Sequence, residues 1–63
     1  MKVLIIIAFE THMAGFIHRA EREVLAQPED VTVLNEHGDI TIGRGRKAMT
    51  YMGREVQSVT YIH

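Results

Sequence analysis

Val3 to Phe9 reads VLIIIAF, seven apolar residues in a row with Lys2 before them and Glu10 after them. A run of that length without alternation is a strand buried on both faces, which belongs inside a sheet and needs cover on each side. It is too short for a membrane helix, which takes roughly 20 apolar residues. Nor does a small-residue cleavage pattern follow it, as it would in a signal peptide. The expected setting is the cytoplasm, with no membrane contact; the lack of cysteine is compatible with that.

Cover for such a strand is scarce in 63 residues. A chain this short makes one domain, residues 1–63, and buries only about 60% of the surface its unfolded form exposes. Without cysteine it has neither a disulfide framework nor a thiolate zinc site to supplement the core, so oligomerisation is the remaining common remedy. A hydrophobic content of 46% with 24% charged residues is ordinary for a globular protein and argues against intrinsic disorder.

The nearest source of cover is Thr11 to Gln27. Met13, Phe16, Ile17, Ala20 and Val24 fall at i, i+3, i+4, i+7 and i+11, one stripe of a 3.6-residue helix, while His18, Arg19, Arg22 and Glu23 lie opposite. Thr11 is the expected N-cap, Gly15 an unfavourable helical residue, and Pro28 the stop. Beyond it, Val31 to Leu34 and Ile40 to Ile42 flank the turn-forming Asn35-Glu36-His37-Gly38-Asp39 and read as a β-hairpin with Thr32 and Thr41 on the same side. From Ala48 onward strand and helix compete. Gly53 and the run Ser58 to Ile62 favour a second hairpin, Ala48 to Met52 with Glu55 to Ile62.

The assembled expectation is an α+β fold, β-α-β-β-β-β, with one helix on one face of a small mixed, mostly antiparallel sheet. Its first two strands would be parallel across the helical crossover. The bare face of that sheet calls for a second copy or a partner.

Motifs for chemistry are sparse. Gly15 alone is neither a dinucleotide fingerprint nor a phosphate loop, so no nucleotide cofactor is implied. The histidines His12, His18, His37 and His63 have no ligand spacing, and no metal is expected. With no cysteine and the single serine Ser58 in a strand, no nucleophile stands beside a base. The chain reads as a non-enzyme.

Charge is the one polar asymmetry. Up to Gly43 the chain holds three basic and seven acidic residues; from Arg44 onward, four basic and one acidic. Arg44, Arg46 and Lys47, with Arg54 beyond them, form a glycine-spaced basic loop suited to phosphate or carboxylate, and Tyr51 and Tyr61 could offer stacking surfaces. Two functions follow. The leading one is a small, self-associating, non-enzymatic binding protein of the accessory or inhibitor type that bacteria and their phages carry, acting on an unidentified protein partner. The alternative is a nucleic-acid-binding module using the basic loop 43–54. A pI near 6.4 weighs against the second.

Overall fold

The computed structural model describes the whole chain, Met1 to His63, and it holds no α-helix. The α+β expectation is therefore corrected to two small antiparallel sheets. Strand β1, Lys2–Met13, contains the VLIIIAF run, and β2, Phe16–Ala26, occupies the segment read as a helix. They form one long hairpin that closes on Ala14 and Gly15, both at positive φ, +53° and +81°. That is the two-residue type I′ turn whose twist suits a hairpin.

The reason for the reversal lies in β1. Its inner side chains are buried, so amides on both of its edges need partners that water does not supply. Strand β6, Val56–Ile62, pairs antiparallel with one edge, with a register irregularity between Ile6 and Ile7. β2 takes the other along eleven residue pairs, Val3 with Ala26 through Met13 with Phe16. The helix preference of Arg, Glu, Leu and Ala amounts to only tenths of a kcal/mol per residue, less than a continuous ladder beside a β-branched strand supplies. No crossover helix and no parallel pairing remain.

The second sheet has the order β3-β4-β5, with β3 at Val31–Val33, β4 at Ile40–Ile42 and β5 at Met49–Tyr51. The β3–β4 hairpin forms as the sequence indicates, with Thr32 opposite Thr41. The last third is strand rather than helix, yet its two strands do not pair with each other. β5 joins β4, whereas β6 crosses to β1 and becomes the far edge of the first sheet, order β2-β1-β6. Short 3₁₀ turns at Pro28–Asp30 and Gly45–Lys47 link the pieces.

The sheets meet through six buried side chains, Val3, Ile5 and Ile7 from β1 against Ile40, Ile42 and Tyr51. Phe9, Val24, Ala26, Val31 and Val56 pack around them, half-buried. The face of the first sheet bearing Val3, Ile5 and Ile7 is its inner face; Leu4, Ile6 and Ala8 lie on the outer one. From Glu10 to Ala20 every residue is exposed, because the hairpin runs on past the second sheet as an arm. The molecule is correspondingly long, 40 × 24 × 23 Å.

Candidate functional site

The basic loop is less available than its sequence implies. Arg44 donates through Nε to Asp30 Oδ1, and its Nη2 lies 3.9 Å from Glu29 Oε1. The Asp30 carboxylate, by hydrogen bond and then by charge, holds this guanidinium above its ordinary pKa. Arg46 and Lys47 sit on the 3₁₀ turn, exposed and without an ion-pair partner. Arg54 instead lines an open cleft of about 380 Å³ together with Phe9, Glu10, His12, Arg19 and Glu55. That cleft mixes both signs of charge.

The two tyrosines separate. Tyr51 is 5% exposed, opposite Ile40, with its hydroxyl 3.7 Å from Met49 Sδ; its ring is core rather than a stacking surface. Tyr61 is exposed on β6, opposite Val3. Of the six residues the sequence singles out, Arg46 and Lys47 share one turn, Arg44 is engaged by an acid, and Arg54, Tyr51 and Tyr61 are elsewhere. No histidine joins a group of three metal-binding side chains. His12 faces outward opposite Ile17, and His18 lies on the inner side opposite Thr11.

A tighter polar cluster sits at the β3–β4 turn. Asn35 Nδ2 donates to Asp39 Oδ2 at 2.8 Å, and the Gly53 amide donates to Asp39 Oδ1 at 2.7 Å. The amides of His37 and Asp39 donate to Asn35 Oδ1 at 3.0 and 3.3 Å. These donors, Asn35 first and Gly53 second, lower the Asp39 pKa against the opposing effect of desolvation, and the charge of His37 adds least. Asp39 thereby ties this turn to the β5–β6 connection. A Cβ at Gly53 would meet the backbone carbonyl of His37, so only glycine allows the approach. Each of these bonds is internal, and the cluster reads as a structural tie.

What the sequence reading missed is the arm. Met13, Phe16, Ile17 and Leu25, assigned there to a covered helical stripe or its margin, are 72%, 69%, 64% and 60% exposed. The signal was present in Gly15, an unfavourable helical residue, since Ala14-Gly15 between apolar Met13 and Phe16 suits a turn between paired strands. β2 is also a free edge. No backbone hydrogen bond outside the ladder with β1 involves it.

Half of its amides point outward, and the register says which. A two-residue turn makes Met13 and Phe16 a hydrogen-bonded pair, and such pairs alternate along the ladder. The Ala8 amide donates to Glu55 on the β6 side at 2.7 Å, so Ala8 and its opposite number Glu21 are not hydrogen-bonded to each other. The N–H and C=O groups of Ile17, Arg19, Glu21, Glu23 and Leu25 are left facing solvent.

No protein-family model, no curated protein and no solved structure matches the chain.

Proposed function

We propose that this chain is a small non-enzymatic binding protein that self-associates and occupies a surface of another protein, in the manner of an accessory factor or inhibitor. One observation carries the reading. The chain exposes 5058 Å², while a compact protein of 7.2 kDa is expected to expose roughly 4,100 Å². The excess of roughly 900 Å² is close to the ~800 Å² that each partner gives up in an interface of standard size.

Only six residues are buried, and twelve large apolar side chains are exposed. Where such side chains adjoin, as Met13 and Phe16 do as opposite residues beside the turn, they mark a place of contact. The projecting arm, with Met13, Phe16 and Ile17 at its end, is where a partner protein would meet it. Protein is favoured over nucleic acid because Arg44 already holds Asp30, Tyr51 lies in the core, and Arg46 and Lys47 alone make a weak phosphate site. A cytoplasmic setting belongs to the same proposal. No helix is long and apolar enough to cross a membrane.

The test is capture of partners from lysate by immobilised wild-type chain and by a Phe16→Ser, Ile17→Ser variant whose circular dichroism matches wild type. A specific protein retained by wild type and lost by the variant is expected. Equal retention by both would remove the arm from the reading, and RNA or DNA captured with a salt slope that depends on Arg46 and Lys47 would favour the nucleic-acid alternative.

A further inference from the structure

We infer that two copies of this chain join along β2, edge to edge and antiparallel about a two-fold axis at Glu21, so that two three-stranded sheets become one of six strands. This deepens the self-association proposed above by naming the interface.

Symmetry restricts the registers. A two-fold axis perpendicular to the sheet places a residue opposite its own copy, so each register is named by its central residue. β2 runs from Phe16 to Ala26, and only a centre at Glu21 pairs all eleven residues. That centre also uses the free amides. Ile17, Arg19, Glu21, Glu23 and Leu25 become hydrogen-bonded pairs with the partner's Leu25, Glu23, Glu21, Arg19 and Ile17, giving about ten interchain bonds.

The side chains agree with this register more closely than with its neighbours. On the outer face Arg19 meets the partner's Glu23 and Ile17 meets the partner's Leu25, each contact occurring twice. On the inner face Phe16 meets the partner's Ala26, and His18 meets the partner's Val24. The exposed Phe16, Ile17 and Leu25 therefore all gain apolar neighbours.

A centre at Arg22 sets Glu21 against the partner's Glu23. One at Arg19 opposes two arginines and sets Glu21 against the partner's Ile17; one at Glu23 also puts two glutamates on the axis and in addition sets Glu21 against the partner's Leu25. A centre at Ala20 satisfies Arg19 with the partner's Glu21 but sets Ile17 against the partner's Glu23. Charged side chains on an edge ordinarily discourage pairing; here they select one alignment. Its single unfavourable contact is Glu21 with the partner's Glu21 on the axis.

The other edge, β6, is shorter at seven residues and carries no charged side chain between Val56 and Ile62 to choose a register.

Charge reversal with mixing tests the register. Arg19→Glu and Glu23→Arg each turn two attractive cross-strand contacts repulsive and are expected to raise the dimer dissociation constant on the order of tenfold or more. An equimolar mixture restores both contacts in the heterodimer and is expected to sediment as a dimer like wild type. Arg19 also faces Glu10 within its own chain, so a second probe leaves the charges of Arg19 and Glu23 intact.

Glu21→Cys puts one thiol per chain on the axis, at a Cα separation of about 5.5 Å that a disulfide spans. Oxidation is expected to give covalent dimers at least tenfold faster than with Thr60→Cys on β6. A wild-type dimer that neither reversal weakens, a mixture that stays dissociated, or faster crosslinking at position 60 would overturn this interface and leave self-association standing. A wild-type chain that remains monomeric at about 100 µM would overturn both.

Discussion

Replacing the two residues of the β1–β2 turn separates a hairpin from a helix by the sign of the effect. Gly15 has φ at +81°, and a Cβ built on it meets nothing within 4 Å. The whole penalty of Gly15→Ala is then conformational, about 1 kcal/mol for placing an L-residue in the left-handed region. In a helix over 11–27 the same change would stabilise by about 1 kcal/mol, the difference between glycine and alanine in a helix interior. Ala14 already carries that strain at φ +53°. Ala14→Asn is expected to recover roughly 0.5–1 kcal/mol, since asparagine tolerates this region, whereas in a helix it would lose a similar amount. For a domain of this size about 1 kcal/mol moves Tm by roughly 4–8 °C. Urea and thermal unfolding followed by circular dichroism should show Gly15→Ala less stable and Ala14→Asn more stable than wild type. The opposite pair of signs would mean that residues 11–27 are not paired strands.

Three further outcomes follow from the packing. Ile5 is fully buried where the sheets meet; Ile5→Ala should remove about 2–5 kcal/mol from a total expected near 3–9 kcal/mol for this length, a fall in Tm of roughly 10 °C or more in a thermal scan. Gly53→Ala drives a methyl group toward the His37 carbonyl and should lower stability by about 1–3 kcal/mol, measurable as a lower urea midpoint at unchanged slope. The Asp39 pKa is lowered in the folded state, so the stability it supplies is complete above the unfolded value near 3.9 and is lost as pH falls through the folded value. Asp39→Asn should flatten stability against pH in that acid window, and an unchanged slope there would mean that the Asn35 and Gly53 contacts do not hold in solution.

How far the sequence reveals this molecule depends on the range over which each contact acts. The VLIIIAF strand and the β3–β4 hairpin are local patterns, seven consecutive apolar residues and a turn cluster between two β-branched runs, and both are visible without tertiary information. The segment Phe16–Ala26 is where local and long-range preferences disagree: its spacing and composition fit a helix, while the unpaired edge of β1 demands a strand. The pairing of β6 with β1 joins Val56 to Ile7 across most of the chain, and nothing near Val56 records that it will not pair with β5. The candidate site behaves in the same way. Arg44 lies among basic residues in sequence, but its partner Asp30 is fourteen positions away; Tyr51 points inward because the β4–β5 register sets it opposite Ile40.

The β2 edge gives the charge pattern of this segment a second meaning. Arg19 and Glu23 are four apart, so in a helix they would be neighbours on one face within the chain. In a strand rising ~3.3 Å per residue they are about 13 Å apart and cannot touch. Within the chain Glu23 faces Ile6, so an arginine reaches it across the β2 edge only from another copy. The exposed arm beyond Glu10 is, in a single copy, a two-stranded ribbon, and isolated ribbons of that kind are marginal in water. Pairing would supply its missing strands and link folding to association. Stability should then depend on concentration. Each tenfold increase in protein adds ~1.4 kcal/mol per dimer, about 0.7 kcal/mol per chain, which corresponds to a rise in Tm of roughly 3–6 °C. Thermal scans from about 1 to 100 µM should show it for wild type and not for Arg19→Glu. A wild-type Tm independent of concentration across that range would mean that folding and association are not linked.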